Sequence, residues 1–216
     1  MEPDHSGYSN VMATFTPSLR KAIEKAKALE INIIAPGHGP VYRKNPDKIM
    51  DDYLRYSRYA EGAGKNEITI LWGSMYGMTA KAVDYVEGIL QREGVKYNKL
   101  QLPLESESEM VATVLKSAGI IIAAPTYEYK LFLPVAAALN ELGRKRITGK
   151  AAFRFGSYGW SGGAEKELNE IIERNKMNWD FIESVEFEGA PKKEDLVKVE
   201  AGVLALIEKM RDKAVE

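Results

Sequence analysis

From Glu67 onward the chain alternates short apolar runs with longer stretches in which apolar residues recur every three or four positions. Runs at 67–72, 96–101, 119–124, 150–156 and 182–187 have the length of strands. Stretches near 79–93, 107–117, 131–143, 162–174 and 192–213 have the period of amphipathic helices. Five such β/α units in succession predict a doubly wound parallel sheet covered by helices on both faces. The last helix, from Glu194 to Met210, keeps an apolar stripe and sets its lysines and glutamates on the opposite, solvated side.

Ahead of Glu67 the rhythm is different. Pro17 to Leu29 reads as a helix, Ile31 to Ile34 as a short strand, Ala35 to Arg43 as a tight loop, and Pro46 to Ala60 as a second helix. Glu61-Gly-Ala-Gly-Lys65 reads as a linker. A chain of 216 residues exceeds the roughly 100–150 residues of a typical domain, so a small α/β appendage at 1–62 and a main domain at 66–216 are expected. So short an appendage cannot bury a core alone, and its apolar faces must rest on something.

Composition narrows the chemistry. A net charge of −1 offers no basic field for nucleic acid. The absence of cysteine removes disulfides, thiolate catalysis and cysteine-held metal sites. No apolar run is long enough to suggest a membrane partner. The opening residues Met1-Glu-Pro-Asp-His5 have neither a basic region nor an apolar core of a secretory signal, so a cytoplasmic protein is expected.

Three loops carry the candidate chemistry. Trp72-Gly-Ser-Met-Tyr-Gly-Met-Thr79 joins the first main strand to its helix. Glycine lets backbone N–H groups converge, Ser74 and Thr79 add hydroxyls, and the helix dipole favours a dianion. No lysine follows the last glycine, so this is not the loop of nucleotide triphosphatases. Pro125-Thr-Tyr-Glu-Tyr129 and Gly156-Ser-Tyr-Gly-Trp-Ser-Gly-Gly163 follow two later strands. In a parallel sheet such strand ends converge on one crevice, and Tyr127, Tyr129, Tyr158 and Trp160 suit a flat ring.

From about Asn66 onward the chain resembles a flavodoxin-like FMN-binding domain, and the third loop resembles that of the flavodiiron proteins in particular. The resemblance implies strand order 2-1-3-4-5, with FMN as cofactor. Its phosphate would sit on Ser74, Met75, Tyr76, Gly77, Met78 and Thr79. Its ring would lie between Pro125, Thr126, Tyr127, Glu128 and Tyr129 on one side and Ser157, Tyr158, Gly159, Trp160, Ser161, Gly162 and Gly163 on the other. Met78 stands where the family usually has a hydroxyl residue, which leaves its backbone N–H as the donor there.

Both histidines of the chain precede this region. Glu2-Pro-Asp-His-Ser-Gly7 resembles the tail of a ligand motif in the metallo-β-lactamase-like domain of flavodiiron proteins, and Ala35-Pro-Gly-His-Gly-Pro40 resembles its closing ligand loop. By that resemblance Glu2, Asp4, His5 and His38 occupy metal-ligand positions, of the nitrogen and oxygen type that suits redox iron. The motif's leading histidine has no counterpart, and no further histidine completes two iron centres. The chain therefore reads as a flavodiiron protein whose metal domain is largely deleted, with Glu2, Asp4, His5 and His38 vestigial and no di-iron site expected in this chain alone.

The function expected is that of an FMN-binding electron-transfer flavoprotein, an oxidoreductase-type carrier with no general acid or base. Its redox partners would be a rubredoxin-like or reductase donor and an acceptor. Two alternatives stay open. One is a reductase of dioxygen or nitric oxide whose metal site is completed by another, lactamase-like chain; a homo-oligomer is a separate possibility for its assembly. The other is a non-redox module binding a different phosphorylated ligand or a partner surface.

Overall fold

In a computed structural model, residues 8–37 and 40–215 are described. The elements, in order, are α1 (Thr16–Ala26), α2 (Pro46–Ala60), β1 (Lys65–Trp72), α3 (Met78–Arg92), β2 (Lys96–Gln101), α4 (Glu107–Lys116), β3 (Ser117–Ala123) and β4 (Thr126–Tyr127). There follow β5 (Lys130–Leu131), α5 (Leu133–Arg144), β6 (Ala151–Tyr158), α6 (Ala164–Arg174), β7 (Asp180–Phe181), β8 (Val185–Glu188) and α7 (Lys193–Arg211).

The central sheet runs β2-β1-β3-β6-β7, and every pairing in it is parallel. β8 also pairs with β6, so the fifth strand position is shared by two short pieces rather than the continuous run expected at 182–187. The expected order 2-1-3-4-5 is thereby found. Burial explains the placement: Ser117 to Ala123 of β3 are all buried, as a central strand covered on both faces requires. β2 carries Lys96, Asn98, Lys99 and Gln101 and lies at the edge, where charge discourages further pairing.

Two apolar layers flank the sheet. One joins Val111, Val114, Leu139 and Leu168 of α4, α5 and α6 to Ile120, Ile122 and Ala152. The other joins Val83, Val86, Val203 and Leu206 of α3 and α7 to Ile121, Phe153 and Phe155. Helix starts follow local rules: Ser106 caps α4 by accepting from the Glu109 N–H at 3.2 Å, with Glu107 and Glu109 in the first turn.

The N-terminal segment rests on the first of these layers. Tyr8, Ala13, Tyr56, Tyr59 and Ala60 belong to the same core as Val111 and Leu139. Tyr8 packs against Tyr56 with centroids 5.4 Å apart, and its hydroxyl lies 2.9 Å from Thr16 Oγ1. Asn10 donates to Ser108 Oγ at 2.8 Å, and Thr148 N–H donates to the Ala60 carbonyl at 2.8 Å. α2 spans the residues expected of it, whereas α1 closes at Ala26, short of Leu29. The strand expected at Ile31–Ile34 reduces to one antiparallel bridge, Ile34 to Tyr42.

The glycines between α2 and β1 serve close approach rather than flexibility. A β-carbon at Gly62 would fall 2.5 Å from the Gly149 carbonyl oxygen, and one at Gly64 would fall 2.5 Å from the Ala118 nitrogen. Buried Lys150 ties this passage down by donating to the Ala63 and Leu115 carbonyls, each at 2.7 Å.

Candidate functional site

The carboxyl ends of β1, β3 and β6 open on one cleft of about 420 Å³, within the range of small-molecule sites. Met75, Tyr76 and Met78 line it from the first loop, Pro125 to Tyr129 from the second, and Ser157 to Ser161 from the third. Gly189, just after β8, also lines it and was not anticipated. Its N–H donates to the Tyr158 carbonyl at 2.9 Å, a backbone contact that leaves no signature in side-chain chemistry. Ser74, Gly77, Thr79, Gly162 and Gly163 do not line it directly, and of these five Thr79 alone is buried.

The first loop ends at Gly77, whose φ of 78° turns the chain into α3. Ser74 Oγ accepts from the Gly77 N–H at 3.0 Å. No side chain caps α3, so the leading N–H groups of a 15-residue helix stand at this end of the cleft with the positive end of its dipole. Thr79 is fully buried, with Oγ1 3.0 Å from Ser157 Oγ and 3.4 Å from the Ser157 nitrogen. Its hydroxyl thus joins the first loop to the third.

The second loop is a two-residue hairpin between β4 and β5. Its central residues Glu128 and Tyr129 have φ of 48° and 61°, the pattern of a type I′ turn usually filled by Asn-Gly. Non-glycine residues held there store strain, a feature that concentrates at functional sites. The hairpin is anchored by Leu131 N–H, which donates to Glu167 Oε2 of α6 at 2.6 Å. A β-carbon at Gly163 would fall on the Tyr129 carbonyl oxygen, so the third loop is packed directly on the second.

Whether an FMN suits this cleft is answerable from the walls themselves. Trp160 is fully exposed, Tyr76 and Tyr129 nearly so, and all three surround a concave site. Thr126 Oγ1 is buried in the wall without a partner among the described residues, a polar atom left for a ligand to satisfy. An uncapped helix start at one end and aromatic faces at the other match a phosphate and a flat ring. The residues present fit the group.

No group of three or more histidine, cysteine, aspartate or glutamate side chains able to hold a metal occurs among the described residues. Glu2, Asp4, His5 and His38 lie outside the described residues.

The sheet order and the three-loop cleft at its switch point define a flavodoxin-like protein. The chain is 27% identical over 191 residues to a nitric oxide reductase of Moorella thermoacetica, covering 88% of this chain and 47% of that protein. It is 31% identical over 166 residues to the anaerobic nitric oxide reductase flavorubredoxin of Vibrio vulnificus, covering 75% of this chain and 33% of that one. The fold matches the rubredoxin oxygen:oxidoreductase of Desulfovibrio gigas with a TM-score of 0.87 at 21% identity, over 97% of this chain and 52% of that one. That span includes the N-terminal helices. No protein-family model matches the chain. The chain is thus similar in sequence to nitric oxide reductases and flavorubredoxins, and it spans about half or less of the length of the two sequence relatives.

Proposed function

We propose that the chain binds FMN in the three-loop cleft and acts as an electron-transfer flavoprotein. The observation that carries this reading is the pairing, in one cleft, of an uncapped helix start with exposed Tyr76, Tyr129 and Trp160. When bound, the flavin supplies the redox chemistry, and the protein supplies binding, orientation and electrostatics. The N–H groups opening α3 would hold the phosphate, assisted by Ser74. The aromatic rim would shield the ring faces from water, and backbone N–H groups of the second and third loops would face its edge. Thr126 Oγ1 would donate or accept at that edge.

In this reading residues 66–216 form the flavin-binding unit, and residues 1–62 are what corresponds to a metallo-β-lactamase-like domain. Its partners would be a rubredoxin-like or reductase donor and an acceptor protein, in the cytoplasm. The names of the relatives support this choice of donor. Among the described residues no helix is long and apolar enough to cross a membrane.

A second reading, a nitric oxide or dioxygen reductase, is favoured by what those relatives are named for. It requires metal ligands beyond the described residues, from Glu2, Asp4, His5 and His38 together with another chain or copy. One sample separates the readings: an absorption spectrum with iron and zinc analysis after FMN reconstitution. Flavin bands without metal are the expected result. Flavin with stoichiometric iron selects the reductase, and a colourless protein after FMN addition overturns both.

A further inference from the structure

Arg154 occupies the middle of β6, opposite Ile122 of β3, on the face of the sheet that holds Ala152 and the α4–α6 core. Its side chain is fully enclosed. A buried ion pair is generally no more stabilising than apolar side chains of equal volume, so stability alone does not account for an arginine here. Its contacts do. Nη1 donates to Glu186 Oε1 at 2.6 Å, Nη2 lies 3.5 Å from the Ala124 carbonyl oxygen, and Nε has no partner among the described residues. Ala124 is the residue from which the second loop departs. Glu186 sits on β8 opposite Gly156, and its Oε2 lies 2.6 Å from where a β-carbon of Gly162 in the third loop would be.

We propose that the Arg154–Glu186 pair positions the two ring-side loops and, through them, sets how strongly the site prefers reduced over oxidised flavin. The inference rests on the flavin reading given above. Arg154 touches the root of one loop and Glu186 backs the other, so the pair fixes the gap between the walls of the cleft. It is also a compensated charge in a low-dielectric layer beneath the loops. Removing either member leaves an unbalanced charge of known sign close to a ring that becomes more negative on reduction.

The test begins with the full wild-type chain and added FMN. Failure of the wild type to bind FMN overturns the flavin reading and this inference with it. Given binding, dithionite titration against a reference dye compares the wild type with Glu186→Gln and Arg154→Met. Glu186→Gln leaves the guanidinium uncompensated and is expected to favour reduced over oxidised FMN by on the order of tenfold more than wild type. Arg154→Met is expected to shift the ratio the opposite way, by less, because Glu186 is partly exposed and reaches water. Both change the visible circular dichroism of the bound flavin. Shifts in the same direction, or both within on the order of twofold of wild type, overturn the proposal. If the single variants do not fold, the double variant R154M/E186Q removes both charges. It is expected to fold and to show altered flavin dichroism, and a wild-type dichroism spectrum from it overturns the positioning role.

Discussion

Ser74 and Thr79 come from one loop, but their hydroxyls stand differently. Ser74 Oγ accepts from the Gly77 N–H and keeps its own proton free to donate toward a phosphate. Thr79 Oγ1 is enclosed against Ser157. Replacing Ser74 by alanine is expected to weaken FMN binding by about 1–3 kcal/mol, the loss of one charge-assisted bond. Calorimetric titration with FMN checks this, and unchanged affinity gives the loop another job. Thr79→Val alone should behave differently: it leaves Ser157 without its buried partner and is expected to cost about 1–3 kcal/mol of folding stability in the apo protein. The serine, threonine and glycine content of this loop was the ground in the sequence for expecting a phosphate there. Which hydroxyl faces the cleft was not, because that depends on where β6 places Ser157. Lys150 was equally silent in the sequence. Burial pushes its amine well below its ordinary value of 10.5, with Lys213 adding to the shift. Between 10.5 and that lower folded value the unfolded chain takes up a proton that the folded chain does not, so stability falls as pH falls through this window. Lys150→Met lacks this slope. Chemical denaturation at several pH values below 10.5 should show the wild type losing stability relative to the variant as pH decreases, and parallel curves would mean Lys150 stays charged when folded.

At the level of elements, the long periodic segments were readable and the short ones were not. Four of the five expected strands and all five helices appear near their expected bounds, while the fifth strand is divided between β7 and β8. β4 and β5 have two residues each, too few for any period, and Tyr127-Glu-Tyr-Lys130 contains neither the asparagine nor the glycine that marks a two-residue turn. β7 and β8 share one strand position because the pairing with β6 lapses at Glu183 and Ser184, after the Ile182 N–H has donated to the Ala152 carbonyl at 2.8 Å. The hairpin supports a prediction of its own. Glu128 holds φ at 48°, which costs an L-residue on the order of 1 kcal/mol and costs asparagine less. Glu128→Asn should therefore raise apo stability by roughly 0.5–1 kcal/mol by thermal unfolding. Tyr129→Gly relieves the same kind of strain but removes a ring wall, so it should gain stability while losing flavin affinity. Opposed effects from the two measurements would assign the strain to the site, and losses in both would assign it to folding.

Across the whole molecule, the sheet order and the position of the cleft followed from alternation and from the switch-point rule. The role of the N-terminal segment followed only in part. That its apolar faces needed a support was readable from its length. That the support is the α4–α5 face was not, since the contacts pair Tyr8 and Tyr56 with residues far along the chain. The passage Glu61 to Lys65 looked like a flexible linker because glycine is ambiguous between freedom and close approach. Here Gly62 and Gly64 press on Gly149 and Ala118, and Gly64 N–H donates to the Lys213 carbonyl at 3.2 Å. A connection packed this tightly transmits unfolding, and the tyrosines of α2 share one core with Val111, Leu139 and Trp179. The full chain is therefore expected to melt in one calorimetric transition rather than two. Tyr56→Ala, which empties a fully buried site between the segment and the sheet layers, should lower stability by about 3–5 kcal/mol without splitting that transition. A first transition confined to the N-terminal segment, leaving FMN bound through it, would instead make residues 66–216 an autonomous unit. The segment would then be a cover, and not part of what holds the flavin domain together.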